Sequence, residues 1–264
     1  MIVNTIALEK GLKVEYNRAY ESMVGSDAYL ELADKLATTV PSTSTEEKYG
    51  WFGDVPAVQE WLGDKVAGTL EDYDYTIKNK DYYTALDIDR DEIEDDKLGA
   101  LVPRMQMLAL VTKRWRGELI AALINNSLAG LAYDGSAFFA NRAAPNDILL
   151  AGTGVTLATI KADIYAARAA MRKFTSDAGR VMGLEMDTIV CPPELEGIMA
   201  EACTSTMGVA GDNIANPISR WIKNIIVLPN ATDTSDWFGF ASAFPLKPFV
   251  LQDRKAVELV LDDT

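Results

Sequence analysis

One long helix is predicted by residues 96–128, which read DKLGALVPRMQMLALVTKRWRGELIAALINNSL. Apolar residues recur there at steps of three and four, the spacing of one helix face. They are Leu98, Leu101, Met105, Leu108, Trp115, Leu119 and Ala122. At about 1.5 Å per residue, this helix would measure roughly 45–50 Å. Such a length is unusual in a compact domain of this size.

The residues just before this helix are acidic. The run from Asp87 to Asp96 includes Asp89, Asp91, Glu92, Glu94, Asp95 and Asp96. Carboxylates in a first helical turn complement the helix dipole, which favours a solvated helix start. Paired carboxylates also bind Mg²⁺ or Ca²⁺ through oxygen ligands, although the spacing is not that of an EF-hand loop. A metal-dependent enzyme that uses Asp89–Asp96 therefore stays open as the less favoured alternative.

Aromatic residues are concentrated further upstream. Those that we assign to an interface between subunits are Tyr49, Trp51, Phe52, Trp61, Tyr73, Tyr75 and Tyr82. Within this region Tyr73–Lys78 and Tyr82–Ile88 favour strands, and residues 79–81 suit a turn, so we predict a two-stranded hairpin. An isolated hairpin is marginal in water, so it must lie on its own domain or on a neighbouring subunit.

The aromatic side chains of this region allow three interpretations. Tyr and Trp are enriched where protein surfaces pack together, which favours interface anchors. A core role for some of them stays open. Stacking on nucleobases is disfavoured, because stacking platforms usually accompany a basic groove and this region is acidic.

The rest of the chain reads as an α+β protein. We expect a partly helical arm over residues 1–20, a helix within residues 21–40 that ends before Pro41, and an amphipathic helix after Thr156. A buried strand is predicted at 187–191 and a short helix at 194–202. Short strands are predicted at 224–228, 237–241, 249–252 and 256–261.

Composition excludes several classes of function. The 264 residues carry a formal charge of −14, which opposes nucleic-acid binding and is explained by solubility or by a container wall that does not stick to DNA. The absence of histidine removes Ser-His-Asp and Cys-His catalysis. Cys191 and Cys203 lack the spacing of a zinc or redox site and are expected to be buried free thiols of a reducing cytoplasm. We predict neither a cofactor, nor a bound metal, nor a secretory signal, nor a membrane span.

Short motifs in a fixed order resemble the Mu-like prophage major head subunit family. Those before the long helix are residues 41–45 (PSTST), 49–53 (YGWFG), 58–63 (VQEWLG), 75–80 (YTIKNK) and 88–96 (IDRDEIEDD). Those after it are residues 133–139 (YDGSAFF), 189–195 (IVCPPEL) and 245–252 (PLKPFVLQ). The matches spread over most of residues 40–262, and their order makes them specific.

The resemblance implies the tailed-phage capsid fold of the Hong Kong 97 type, an α+β fold. Residues 1–45 would form an N-terminal arm and 46–90 an extended β-hairpin loop. Residues 91–154 would form a peripheral domain with its spine helix, 155–245 an axial domain, and 246–264 the return to the peripheral domain. The chain ends at residues 261–264, where the family would have a further strand.

The implied function is that of a major capsid protein, which is not an enzyme and carries no catalytic residues. Its partners would be copies of itself in hexamers and pentamers, a scaffold, a portal, decoration proteins, and double-stranded DNA packaged without sequence-specific binding. It would be assembled in the cytoplasm of the bacterial host and would reside in the virion. An encapsulin-like nanocompartment shell of the same fold is the alternative.

Overall fold

A computed structural model describes residues 5–22, 27–52, 72–88, 98–132, 134–142, 145–176, 179–205, 216–245 and 247–260. In these ranges the α-helices are α1 (Thr5–Ser22), α2 (Ala28–Leu36), α3 (Leu98–Asn125), α4 (Leu157–Arg172), α5 (Glu196–Thr204) and α6 (Ile218–Trp221), and a 3-10 turn at Pro193–Leu195 leads into α5. The strands are β1 (Ala37–Pro41), β2 (Glu46–Phe52), β3 (Asp72–Lys78), β4 (Thr188–Cys191), β5 (Asn224–Val227), β6 (Phe238–Phe240) and β7 (Phe249–Asp253). The mixture of helices and strands agrees with the predicted α+β class.

Helix α3 is the predicted long helix, and its 28 residues pack against α1 and α2 in succession. Its first half buries Leu101, Met105 and Ala109. These contact residues of α1 that recur at helical spacing, namely Leu12, Tyr16 and Ala19. The segment expected as an arm therefore packs on the long helix of its own chain, because α1 has an apolar face that α3 covers.

The second half of α3 packs against α2, and here the predicted buried stripe is partly wrong. The buried residues are Ile120, Ala121 and Ile124, whereas Ala122 is exposed and Leu119 is half-buried. The buried face moves because α2 crosses α3 from a different side than α1. At the crossing, Gly117 lies directly against the backbone of Tyr29, so that no side chain separates the two helices.

The helix predicted within residues 21–40 ends earlier than expected. Asp27 caps α2 by accepting a hydrogen bond from the backbone N–H of Tyr29, and the helix stops at Leu36. Residues 37–41 form β1 instead, which pairs in parallel with β7. The pairing of Ala37 with Phe249 begins the register. The tertiary hydrogen bonds of this parallel pair override the local helical pattern.

The hairpin predicted from 73–78 and 82–88 is wrong in one strand: the partner of β3 is β2, which precedes it, and not the segment 82–88. β3 pairs antiparallel with β2, so that Tyr49 lies opposite Tyr75 and Trp51 opposite Tyr73. Residues 82–88 form no regular structure. The expected turn at 79–81 does not form because the backbone N–H of Asn79 donates to the Thr45 carbonyl and so continues the β2–β3 ladder (N–O 3.0 Å).

The remaining elements surround a three-stranded sheet of order β5-β4-β6. Alternate residues of β4 face opposite layers, as strand geometry requires. Val190 joins the cluster formed by α2, α3 and β7, while Ile189 and Cys191 join the cluster formed by α4, α5 and α6. The fully buried pattern of β4 confirms the predicted strand at 187–191. Residues 256–260 contain no strand, so the expectation for 256–261 is wrong over its described part.

Helix α4 begins where the sequence predicts. Thr156 and Thr159 form a reciprocal capping box at its start, and Ile160 and Ile164 of the predicted face are fully buried. Arg168 is also buried, because it donates to the Met186 carbonyl and its guanidinium lies 4.7 Å from the centre of the Trp221 ring. None of the described helices has the length and apolar composition that crossing a membrane requires.

Candidate interaction surface

The hairpin formed by β2 and β3 carries most of the aromatic residues that we assign to an interface. Tyr75 is 41% exposed although it is a large aromatic residue in a strand. Trp51, Phe52 and Tyr73 occupy strand positions in the same hairpin, and Trp61 lies outside the described residues. The structure therefore brings the strand residues together on one hairpin, and their contact with another subunit stays a prediction.

Tyr49 lies opposite Tyr75 and is held by the body of the molecule. Its hydroxyl donates to Oε1 of Gln252 on β7 (2.9 Å). Burial and the nearby Glu47 carboxylate raise the pKa of Tyr49 above its usual value. Tyr49 is therefore a fixed point of the hairpin, whereas its neighbour Tyr75 faces solvent.

Tyr82 follows the hairpin and lies against the long helix. Its ring centre is 4.7 Å from that of Trp115 on α3, and the two rings are tilted by 59°. Tyr82 is nevertheless 51% exposed, and the next residue, Tyr83, is 95% exposed. Residues 82 and 83 thus present aromatic surface that the described part of the chain leaves exposed, as an interface anchor requires.

The exposed apolar side chains on one turn of the long helix were an arrangement that was not anticipated from the sequence. Met107 and Val111 lie one turn apart on α3 and are 66% and 51% exposed. Leu131, beyond the end of α3, is 70% exposed. Apolar residues outside the predicted stripe would have revealed it, because side chains four residues apart on a helix are neighbours. Together with the hairpin aromatics, these residues are exposed apolar side chains in the described part of the chain.

The structure describes only part of the acidic run that was considered as a metal site. Asp87 is exposed, and Asp89–Asp96 lie outside the described residues. Among the residues that are described, no three His, Cys, Asp or Glu side chains gather in a group that could hold a metal ion.

The two cysteines are buried and unpaired, as predicted. Burial raises the pKa of the Cys191 thiol to about 12. It raises the pKa of the Cys203 thiol to about 11. The thiolate is the reactive form, so both side chains act as small apolar groups of the core around α5.

Comparison with known families places these features among phage head proteins. The family model described as Mu-like prophage major head subunit gpT matches residues 6–148. The chain is 31% identical over 105 residues to the Mu-like prophage FluMu major head subunit of Haemophilus influenzae, covering 40% of this chain and 34% of that protein. It is 34% identical over 106 residues to the major capsid protein of Escherichia phage Mu, covering 40% of this chain and 35% of that protein. The chain thus spans about a third of the length of the curated relatives that it matches.

Solved capsid structures share the fold over a longer range. The capsid of bacteriophage JBD30 matches with a TM-score of 0.60 and 20% identity, over 86% of this chain and 98% of that chain. The same capsid decorated with minor capsid protein trimers matches with a TM-score of 0.58 and 22% identity, over 87% of this chain and 100% of that chain. At these identities the likeness shows the fold alone.

Proposed function

Because the chain belongs to the Mu-like prophage major head subunit gpT family, we propose that it is a major capsid protein whose copies assemble into the icosahedral head of a tailed phage or prophage. The observation that carries the proposal is the fold. The likeness to the JBD30 capsid protein extends over 87% of the chain, well beyond the residues that match the family model. The proposed role is structural and needs no catalytic residue.

We further propose the Hong Kong 97 arrangement for this chain. Residues 46–90 would extend over a neighbouring subunit, residues 91–154 would form the peripheral domain and 155–245 the axial domain. Two features support this division. The hydrophobic cluster around α4 and α5 is distinct from the cluster around α2 and α3, and β7 returns the chain to β1. The sheet of the axial segment joins the two units, because Val190, Ile226 and Phe240 belong to the α2–α3 cluster. We also propose residues 1–45 as the N-terminal arm. In this chain α1, which belongs to that segment, packs on α3.

The proposed partners follow from the same role. Copies of the chain would form hexamers and pentamers, with a scaffold and a portal completing the shell and decoration proteins on its outside. The enclosed double-stranded DNA would meet an acidic wall, because the net charge of −14 repels phosphates. The protein would therefore reside in the virion after assembly in the cytoplasm of the bacterial host.

Negative-stain electron microscopy of the purified chain tests the proposal directly. We expect closed shells, tubes or ring-shaped capsomers in concentrated protein. A preparation that contains only monomers at every concentration, with and without co-expressed scaffold, contradicts it. Shells that enclose a protein instead of DNA during infection would identify a nanocompartment.

The interface assignment has a separate test with a matched control. Tyr75 in β3 and Tyr165 in α4 are each 41% exposed, so replacing either by Ser removes a similar solvent-facing ring. We expect Tyr75→Ser to reduce assembly, measured by light scattering, while Tyr165→Ser keeps most of it. Equal assembly in both variants would show that Tyr75 does not contribute to the interface. That result would contradict the interface assignment but not the capsid proposal.

A further inference from the structure

In its described part, the hairpin is attached to the rest of the molecule mainly by polar contacts. None of the β2 and β3 side chains that the structure describes belongs to a buried apolar cluster. By contrast, the β1–β7 pair beside it contributes Ala37 and Phe249 to the core. Among the described residues, the side-chain contacts that join β2 and β3 to the body are therefore hydrogen bonds near the base of the hairpin, and the nearest apolar contact is that of Tyr82 with Trp115, just beyond β3.

Three side chains meet at this base, and we name them the root cluster: Ser42, Asn79 and Gln252. Asn79 Nδ2 donates to Ser42 Oγ (2.9 Å), and Gln252 Nε2 donates to Asn79 Oδ1 (2.8 Å) and to Ser42 Oγ (3.2 Å). The three residues come from the loop after β1, the end of β3 and the strand β7. The cluster thus joins the hairpin to the β1–β7 sheet.

Every side-chain donor of the root cluster is used, and each amide oxygen accepts a hydrogen bond. Asn79 Nδ2 also donates to the Ser44 carbonyl (2.7 Å), which occupies its second proton. Gln252 Oε1 accepts from the Tyr49 hydroxyl, and Ser42, only 5% exposed, places its hydroxyl 3.0 Å from Glu47 Oε1. Each amide therefore has one orientation that satisfies all of its donors and acceptors. Rotating the hairpin would break several of these bonds together.

The body side of the cluster is firmly held. The backbone N–H of Ser42 donates to the Asp253 carbonyl (2.9 Å), which extends the β1–β7 ladder by one bond. The carboxylate of Asp253 is paired with Arg116 on α3. Gln252 therefore sits on a strand that is fixed to the long helix, and it offers the hairpin a rigid partner.

We propose that the root cluster is a polar lock that sets the angle between the β2–β3 hairpin and the body. The lock consists of side-chain hydrogen bonds and not of apolar packing. Releasing it turns the hairpin as a unit and leaves the buried clusters intact. This role does not depend on shell formation, so the lock can hold or fail independently of the proposed capsid function.

Pulsed electron–electron resonance on the full chain tests the lock. Spin labels at Thr76→Cys on the hairpin and Glu118→Cys on α3 both occupy exposed positions, and the native thiols are buried. Labelled protein is diluted with unlabelled protein so that only distances within one chain are measured. We expect one narrow distance distribution in the otherwise unchanged chain, and a distribution at least twofold broader or displaced when Gln252→Ala or Asn79→Ala is added.

Val250→Ala is the matched control for Gln252→Ala, because Val250 is on the same strand, is 40% exposed and lies outside the root cluster. A Gln252→Ala distribution as narrow as that of Val250→Ala, at the same mean distance, overturns the proposal. Should the Ala variants fail to fold, Tyr49→Phe and Tyr75→Phe decide it. Only Tyr49→Phe removes a hydrogen bond to Gln252, so we expect a broader distance distribution in that variant and not in Tyr75→Phe. Identical distributions in the two variants refute the lock.

Discussion

Replacing Gly117 by Ala should destabilise the protein, although the same change in most helices is favourable. A Cβ atom at residue 117 would lie 2.7 Å from the Tyr29 Cα, and closer still to the Tyr29 carbonyl carbon and oxygen. Ordinary van der Waals contact begins near 3.4 Å, so α2 must move by more than the 0.7 Å that the Tyr29 Cα alone requires, because the carbonyl atoms are closer. The obstacle is backbone, and it cannot be relieved by turning a side chain.

The expected magnitude follows from two opposing effects. Forcing an extra methyl group into a packed contact costs about 1–3 kcal/mol. The better helix propensity of Ala returns about 1 kcal/mol at most. Because the obstacle is backbone, the cost lies at the upper end of that range, and we expect Gly117→Ala to lower the free energy of unfolding by about 2 kcal/mol.

Gly11 supplies the control, since it lies inside α1 and a Cβ there meets nothing within 4 Å. Gly11→Ala should stabilise the chain by about 0.5–1 kcal/mol, because only the propensity effect remains. Urea unfolding of the unassembled chain, followed by circular dichroism, measures both variants. If Gly117→Ala proves as stable as Gly11→Ala, the close crossing of α2 and α3 is not a constraint on the fold.

Three further predictions concern buried and polar groups. Cys191 and Cys203, with pKa values raised to about 12 and about 11, should not react with a thiol reagent at pH 8 until the protein is unfolded; rapid labelling of the native chain would contradict their burial. Asp187→Ala should cost about 1–3 kcal/mol in urea unfolding, because its carboxylate accepts from the N–H groups of Ser242 (2.7 Å) and Ala243 (2.9 Å), which would lose their buried acceptor. The pKa of Glu47 is lowered from 4.5 by hydrogen bonds from Thr43, Ser42 and Ser44, so its contribution to stability is present above pH 4.5 and is lost as the pH falls through the lowered pKa. A carbon-13 NMR titration of the Glu47 carboxylate that gives a value of 4.5 or higher would refute this.

The aromatic hairpin shows how much of the candidate surface could be predicted from the local sequence pattern. Tyr73–Lys78 was recognisable as strand because β-formers are concentrated there, and it is β3. Its partner was not recognisable, because residues 46–52 and 82–88 both carry strand-forming residues at plausible distances along the chain. Hydrogen bonds of Asn79 to the segment after β1 favour the first of these partners, and these bonds have no local signature.

The sequence by itself determined the elements whose signals are contained within one or two turns or a single strand. The long helix, helix α4 with its Thr156 cap, the buried strand β4 and the buried thiols all follow from periodicity, capping residues or apolar runs. The order of the short motifs indicated the family, and the match of the family model over residues 6–148 confirmed it.

Only the tertiary structure decided which elements meet. Gln252 and Asn79 are separated by 173 positions, and Tyr49 and Gln252 by 203, yet their side chains share hydrogen bonds. The same holds for residues 37–41, whose helical pattern gives way to pairing with β7 near the other end of the chain. The sequence around a polar side chain does not indicate its distant partner, because water satisfies the same hydrogen bond in the unfolded chain. The partner is selected only when folding removes that water. The angle of the hairpin therefore depends on contacts that exist only in the folded chain.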